Sequence, residues 1–75
     1  MLEEYAAAIV AQAKRDNDEF RQLLEEHEDY ETQLQSFVES GYLSGEQEVQ
    51  RKRLQKLKLA GKDRIMEILG QYQRA

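Results

Sequence analysis

The sequence holds no cysteine, no proline and no tryptophan, a single histidine, His27, and only four glycines in 75 residues. A chain this short buries only about 60% of the surface it exposes when unfolded, and such chains usually lean on disulfides, a metal or a partner subunit. With no cysteine and one histidine, packing of the chain on itself or on another chain is what remains. No apolar run approaches the ~20 residues of a membrane span, so no membrane association is expected. The start, Met1-Leu2-Glu3-Glu4-Tyr5-Ala6-Ala7-Ala8, sets two glutamates where a secretory signal needs positive charge. The expected location is the cytoplasm, and the missing cysteines fit that compartment. An excess of acid, net charge −4, argues against a general nucleic-acid binder but leaves room for a local basic patch.

What is present points to helices. Charged residues make up 35% and apolar residues 40%, too apolar for a disordered chain, and together with the absence of proline this predicts a single all-helical domain over residues 1–75. From Phe20 onward, Phe20, Leu23, Leu24, His27, Tyr30, Leu34, Phe37 and Val38 recur in steps of three and four, as a coiled-coil seam requires. The positions between them, such as Glu25, Glu28, Asp29 and Gln33, are acidic or amide. A helix is therefore expected over about 18–40. Gly41 is placed to end it in the left-handed conformation, and a turn follows over 41–44. Ser44 with Gln47 has the form of a capping box, with Glu46 and Glu48 at the positive helix end; the next helix is expected over about 45–73. Its main stripe is Leu54, Leu57, Gly61, Ile65, Ile68 and Tyr72, broadened by Leu59, Met66 and Leu69. The first segment, about 2–15, carries Leu2, Tyr5, Ile9, Val10 and Ala13 at helical spacing and is rich in alanine. Lys14-Arg15-Asp16-Asn17-Asp18-Glu19 interrupts it, with Asp16 or Asn17 as the N-cap of the second helix.

Charge is divided between the halves. Residues 1–40 hold 11 acidic and three basic side chains, and residues 41–75 hold four acidic and eight basic. An antiparallel hairpin lays the acidic second segment beside Arg51, Lys52, Arg53, Lys56, Lys58, Lys62 and Arg64 of the third. Exposed pairs contribute only ~0.2–1 kcal/mol each, so charge sets orientation while the apolar seam supplies stability. That seam is expected to join Phe20, Leu23, Leu24, His27, Tyr30, Leu34 and Phe37 to Leu54, Leu57, Gly61, Ile65 and Ile68. Symmetric counting from the turn sets Gly61 opposite Leu24, where a large side chain of the second helix is expected to fill the space above the glycine.

Several of these residues carry a resemblance. Phe20-x-x-Leu23 leading to Glu26-His27, then Leu54, Lys56 and the run Lys58-Leu59-Ala60-Gly61-Lys62-Asp63-Arg64-Ile65, followed by Ile68-Leu69, resemble the YdcH-like family of short, functionally uncharacterised bacterial proteins. The likeness covers roughly residues 16–70. It implies a helical hairpin and supplies no catalytic or cofactor residues. The family usually has leucine at the position of Gly61, an aliphatic residue at Tyr30 and glutamate at Arg64, so packing and charge at these three positions are not carried over.

Candidate chemistry is sparse. His27 stands among Glu25, Glu26, Glu28, Asp29 and Glu31, but bundle metal sites use Glu-x-x-His, and the residue three before His27 is Leu24. The default is a seam histidine bonded to Tyr30 or to a facing carboxylate or amide, a polar residue that can specify register at a cost in stability. No metal or cofactor is expected, and no nucleophile with its base or phosphate loop is visible, so an enzyme is not expected. Leu59, Met66 and Leu69 widen the apolar arc beyond one partner helix and, with Tyr72, are the expected surface for self-association, as a dimer or higher homo-oligomer, or for an unidentified protein partner. The favoured reading is a non-catalytic scaffold or adaptor built from a homo-oligomeric hairpin, assembled into a helical bundle. The alternative is a small nucleic-acid-binding regulator with phosphate contacts from Arg51, Lys52, Arg53 and Lys56, although that cluster lacks the aromatic interleaving of a single-strand platform.

Overall fold

Each helix boundary is set by a side chain or a backbone conformation that the local sequence supplies. The computed structural model describes residues 2–74, which form three α-helices and no strand: α1 (Ala7–Asp16), α2 (Asp18–Ser40) and α3 (Gly45–Arg74). A 3-10 turn, Leu2–Glu4, precedes them. The first helix thus starts later than the expected residue 2. Ala6 is extended (ψ 139°) and has no side-chain oxygen to cap the helix, while Leu2 and Tyr5 fold back against the core. Burial of those two side chains, with a bond from the Tyr5 N–H to the Leu2 carbonyl at 3.1 Å, outweighs continuing an uncapped helix to the start.

Asn17 makes the break between α1 and α2. It is extended (φ −129°, ψ 106°), and its Oδ1 accepts a 2.9 Å bond from the Phe20 N–H, satisfying one of the orphan donors at the new helix start. Asp18 and Glu19 add negative charge at the same end. Arg21 reaches back over the break, where its guanidinium donates to the carbonyls of Lys14 and Arg15 and pairs with Asp18. At the far end of α2, Gly41 takes φ 76° with ψ −43°, a positive φ that L side chains avoid, but with ψ away from the left-handed helical value. Ser44 and Gln47 then cap α3 reciprocally: the Ser44 N–H donates to Gln47 Oε1 at 2.9 Å and the Gln47 N–H to Ser44 Oγ at 3.2 Å.

The three helices pack in a bundle-like way at one end only. Glu19 meets Arg64 and Glu31 lies near Lys58, so the start of α2 lies beside the later part of α3. Ala13, Phe20, Ile65, Ile68 and Leu69 are fully buried together, and Leu2, Tyr5, Ile9, Val10, Leu23, Leu24 and Tyr72 pack around them. At ~1.5 Å per residue α3 is about 45 Å long and α2 about 35 Å; the molecule measures 47 × 20 × 17 Å. α3 therefore runs its whole length and outreaches α2, and α1 folds over the excess. This corrects two expectations. Leu69 is covered within the chain and Tyr72 packs on the same cluster, because the short first helix supplies the partner that these side chains need. The radius of gyration, 14.8 Å, exceeds the ~11 Å of a compact chain of this length, because the part of the α2–α3 pair nearest the turn has no third helix. Among the described residues no helix is long and apolar enough to cross a membrane.

Candidate interaction surface

Beyond the core the α2–α3 pair continues as a two-helix arm. The stripe that buries Phe20 continues one and two heptads on to His27 and Leu34, both buried. His27 Nε2 lies 2.8 Å from Glu31 Oε1, a partner one turn away on its own helix rather than Tyr30 or a group facing it. The i,i+4 spacing explains this: Glu31 is the carboxylate nearest in the chain that shares the flank of His27. Its Nδ1 is buried without a hydrogen-bond partner. An unsatisfied buried polar atom costs ~1–3 kcal/mol, so the histidine is a polar interruption of the seam that packing elsewhere must offset. No group of three or more potential metal ligands occurs among the described residues.

Tyr30, Phe37, Leu54 and Gly61 are half-buried along the α2–α3 contact, with Leu23 and Leu24 nearer the core. Leu57 departs from the expected seam: it is 44% exposed, since it stands at the edge of the stripe where the arm is only two helices wide. Gly61 departs as well. A Cβ built there meets nothing within 4 Å, so no large side chain of α2 fills the space above it. Leu59 is 58% exposed and Met66 half-buried, the two members of the expected outer surface that stay outside the core.

Arginines of α3 make ion pairs both to α2 and within α3. Arg64 donates to both carboxylate oxygens of Glu19, Nε at 3.0 Å and Nη2 at 2.8 Å, and its Nη1 donates to Glu67 at 3.0 Å. The Arg64 hydrogen bond, above all, holds the Glu19 carboxyl below its ordinary value of 4.5. Arg51 is engaged in the same way with Glu48, at 3.1 and 3.2 Å, and this bond lowers the Glu48 pKa and raises that of Arg51. Of the expected phosphate contacts, then, Arg51 is occupied, while Lys52, Arg53 and Lys56 project with Val49 around a shallow depression of about 280 Å³.

A larger open groove, about 750 Å³, runs between α2 and α3 near the turn, edged by Glu28, Glu31, Gln35 and Glu39 on one side and Gln55 and Lys58 on the other, with Leu34 and Val38 also lining it. Sequence reasoning did not find it. It also missed Arg21 as the strap over the break and the Glu19–Arg64 pair, whereas Ala13, fully buried in the core, was among the apolar positions expected on the first helix. Ala13 was signalled by its spacing from Ile9 and Val10; for Arg21, nothing local distinguishes it from any exposed arginine.

A family model described as "Protein of unknown function (DUF465)" matches residues 20–69. The chain belongs to this family, the YdcH-like one. The DUF465 match opens at Phe20 and closes at Leu69, so it takes in most of α2, the turn and most of α3 and leaves α1 outside. No curated protein and no solved structure matches the chain.

Proposed function

We propose that this protein is a non-catalytic interaction module of the cytoplasm, in which α2 and α3 form an antiparallel, coiled-coil-like hairpin that self-associates into a larger helical bundle and serves as a scaffold or adaptor. One observation carries this reading. Apolar side chains stay exposed along the arm beyond the core: Val38 at 70%, Val49 at 64%, Leu59 at 58% and Leu57 at 44%. Single exposed apolar residues are ordinary, but these four lie on a two-helix segment that has no third layer. Covering them by another helical layer removes that surface from water and lengthens the core along α3.

Sedimentation velocity over a micromolar concentration range tests the reading. A species of mass at least twice 8.8 kDa is expected, and Leu59→Glu combined with Met66→Glu is expected to shift it toward the single chain with loss of helix content. A parent that sediments as one folded chain at every concentration refutes self-association. The regulator reading keeps one observation in its favour, Lys52, Arg53 and Lys56 on an exposed face of α3, without an ion-pair partner among the described residues. It predicts salt-dependent binding of labelled nucleic acid that is lost when these three become Gln.

A further inference from the structure

The ion pairs within the chain leave several charges over, and two of them of opposite sign share one side of the molecule. Glu19 with Arg64 and Glu31 with Lys58 bridge the helices, and Arg51 turns to Glu48. Among the described residues neither the carboxylate of Glu28 nor the ammonium of Lys62 has a partner, and both residues are exposed. They belong to the same side of the molecule. Glu28 edges the open groove, and Lys62 lies four residues after Lys58 and seven after Gln55, which edge it from α3. Steps of four and seven keep side chains on one helix flank. This side therefore shows an acidic row from α2 (Glu28, Glu31, Glu39) next to a basic row from α3 (Lys58, Lys62), with the exposed Val38 and Leu59 among them.

Two such sides can meet around a two-fold axis in two ways. An axis across the helices lays α2 on α2 and α3 on α3, carboxylates against carboxylates and lysines against lysines. An axis along the helices lays each α2 on the other chain's α3, so that every row meets its opposite. Like charges brought together repel, and misplaced pairs of this kind oppose association strongly. We infer that this side binds the same side of a second copy about an axis parallel to the helices, seating the acidic row of each α2 on the lysine row of the other α3. The contact is self-complementary and closes as a dimer, with Val38 and Leu59 drawn out of water between the rows. Glu28 of each chain then comes within reach of Lys62 of the second copy, the charge that neither finds at home. The inference rests on the self-associating reading above and adds the face, the partner and the arrangement.

Sedimentation equilibrium at low ionic strength tests it with the parent, Glu28→Lys, Lys62→Glu and the double variant. Both positions are exposed, and circular dichroism at high salt verifies that each variant folds. A dimeric parent is expected, with each single variant weakening association about tenfold, the loss shrinking as salt screens it, and the double variant restoring the parent affinity. A monomeric parent overturns the inference together with the self-associating reading. A dimeric parent that Glu28→Lys leaves unchanged or tightens overturns the inference alone, because it points to another face or to α2 on α2. Failure of the double variant to recover overturns the pairing. Lys62→Glu abolishing binding to labelled single-stranded DNA while the dimer is intact assigns the lysine row to nucleic acid instead, and overturns it too.

Discussion

Gly61 has space where a methyl group would go and lies in the middle of a 30-residue helix, so backbone entropy alone decides the effect of filling it. Gly61→Ala is expected to stabilise the fold by about 1 kcal/mol, read as a higher urea midpoint with unchanged slope. A lower midpoint indicates a contact that the open space does not show. The expectation of a filled site came from counting along the helices, and the count of levels was sound, since Glu19 does face Arg64 and Glu31 does approach Lys58. Level is not azimuth. Gly61 shares its flank with Arg64 and Ile68, while Leu24 shares the opposite flank with Glu28 and Glu31, so the two can be level without one covering the other. His27 shows the same limit. Its place on the buried stripe follows from the heptad, whereas its partner depended on a side-chain rotamer, which periodicity does not fix.

Among the elements, caps were the most legible feature because they are made within three or four residues. Ser44 and Gln47 could be read directly; at the other break two candidates stood side by side, and the structure selects Asn17, whose Oδ1 reaches the Phe20 N–H. Asn17→Ala is expected to cost about 1 kcal/mol and to lower the thermal midpoint. A change within error means that the Arg21 strap holds the break unaided. Where α1 begins was not legible, because the competing force, burial of Leu2 and Tyr5 against a core assembled from α2 and α3, is tertiary. The Glu19–Arg64 bridge between α2 and α3 gives a pH dependence with a definite sign. Its hydrogen bond holds the Glu19 carboxyl below the ordinary 4.5, so the stabilisation it brings is complete above pH 4.5 and is lost as the pH falls through the lower folded value. Arg64→Gln is accordingly expected to be less stable than the parent at neutral pH, with the two denaturation curves converging in acid. A gap that persists unchanged at low pH assigns the role of Arg64 to packing of its stem rather than to this bond.

At the scale of the whole molecule, the helical class was written in the composition and the steps of three and four that link the seam positions from Phe20 to Phe37 along α2, and the separation of acid from base between the halves anticipated which helices lie together. What the sequence did not disclose was where the core would gather. Leu69 and Tyr72 read as an association surface that the first segment could cover only in part, whereas in the folded chain Leu2, Tyr5, Ile9 and Ala13 pack in one cluster with both of them. The consequence is a molecule with a closed three-helix end and an open two-helix arm, whose exposed Val38, Val49 and Leu59 gain most from a second chain. Stability that depends on association must depend on concentration, because partner binding adds to the folded state by mass action. Thermal unfolding followed by circular dichroism across a hundredfold range of protein concentration measures this directly. The account predicts a melting temperature that climbs steadily with concentration; a melting temperature that stays constant, with a cooperative transition and a mass of 8.8 kDa throughout, contradicts it.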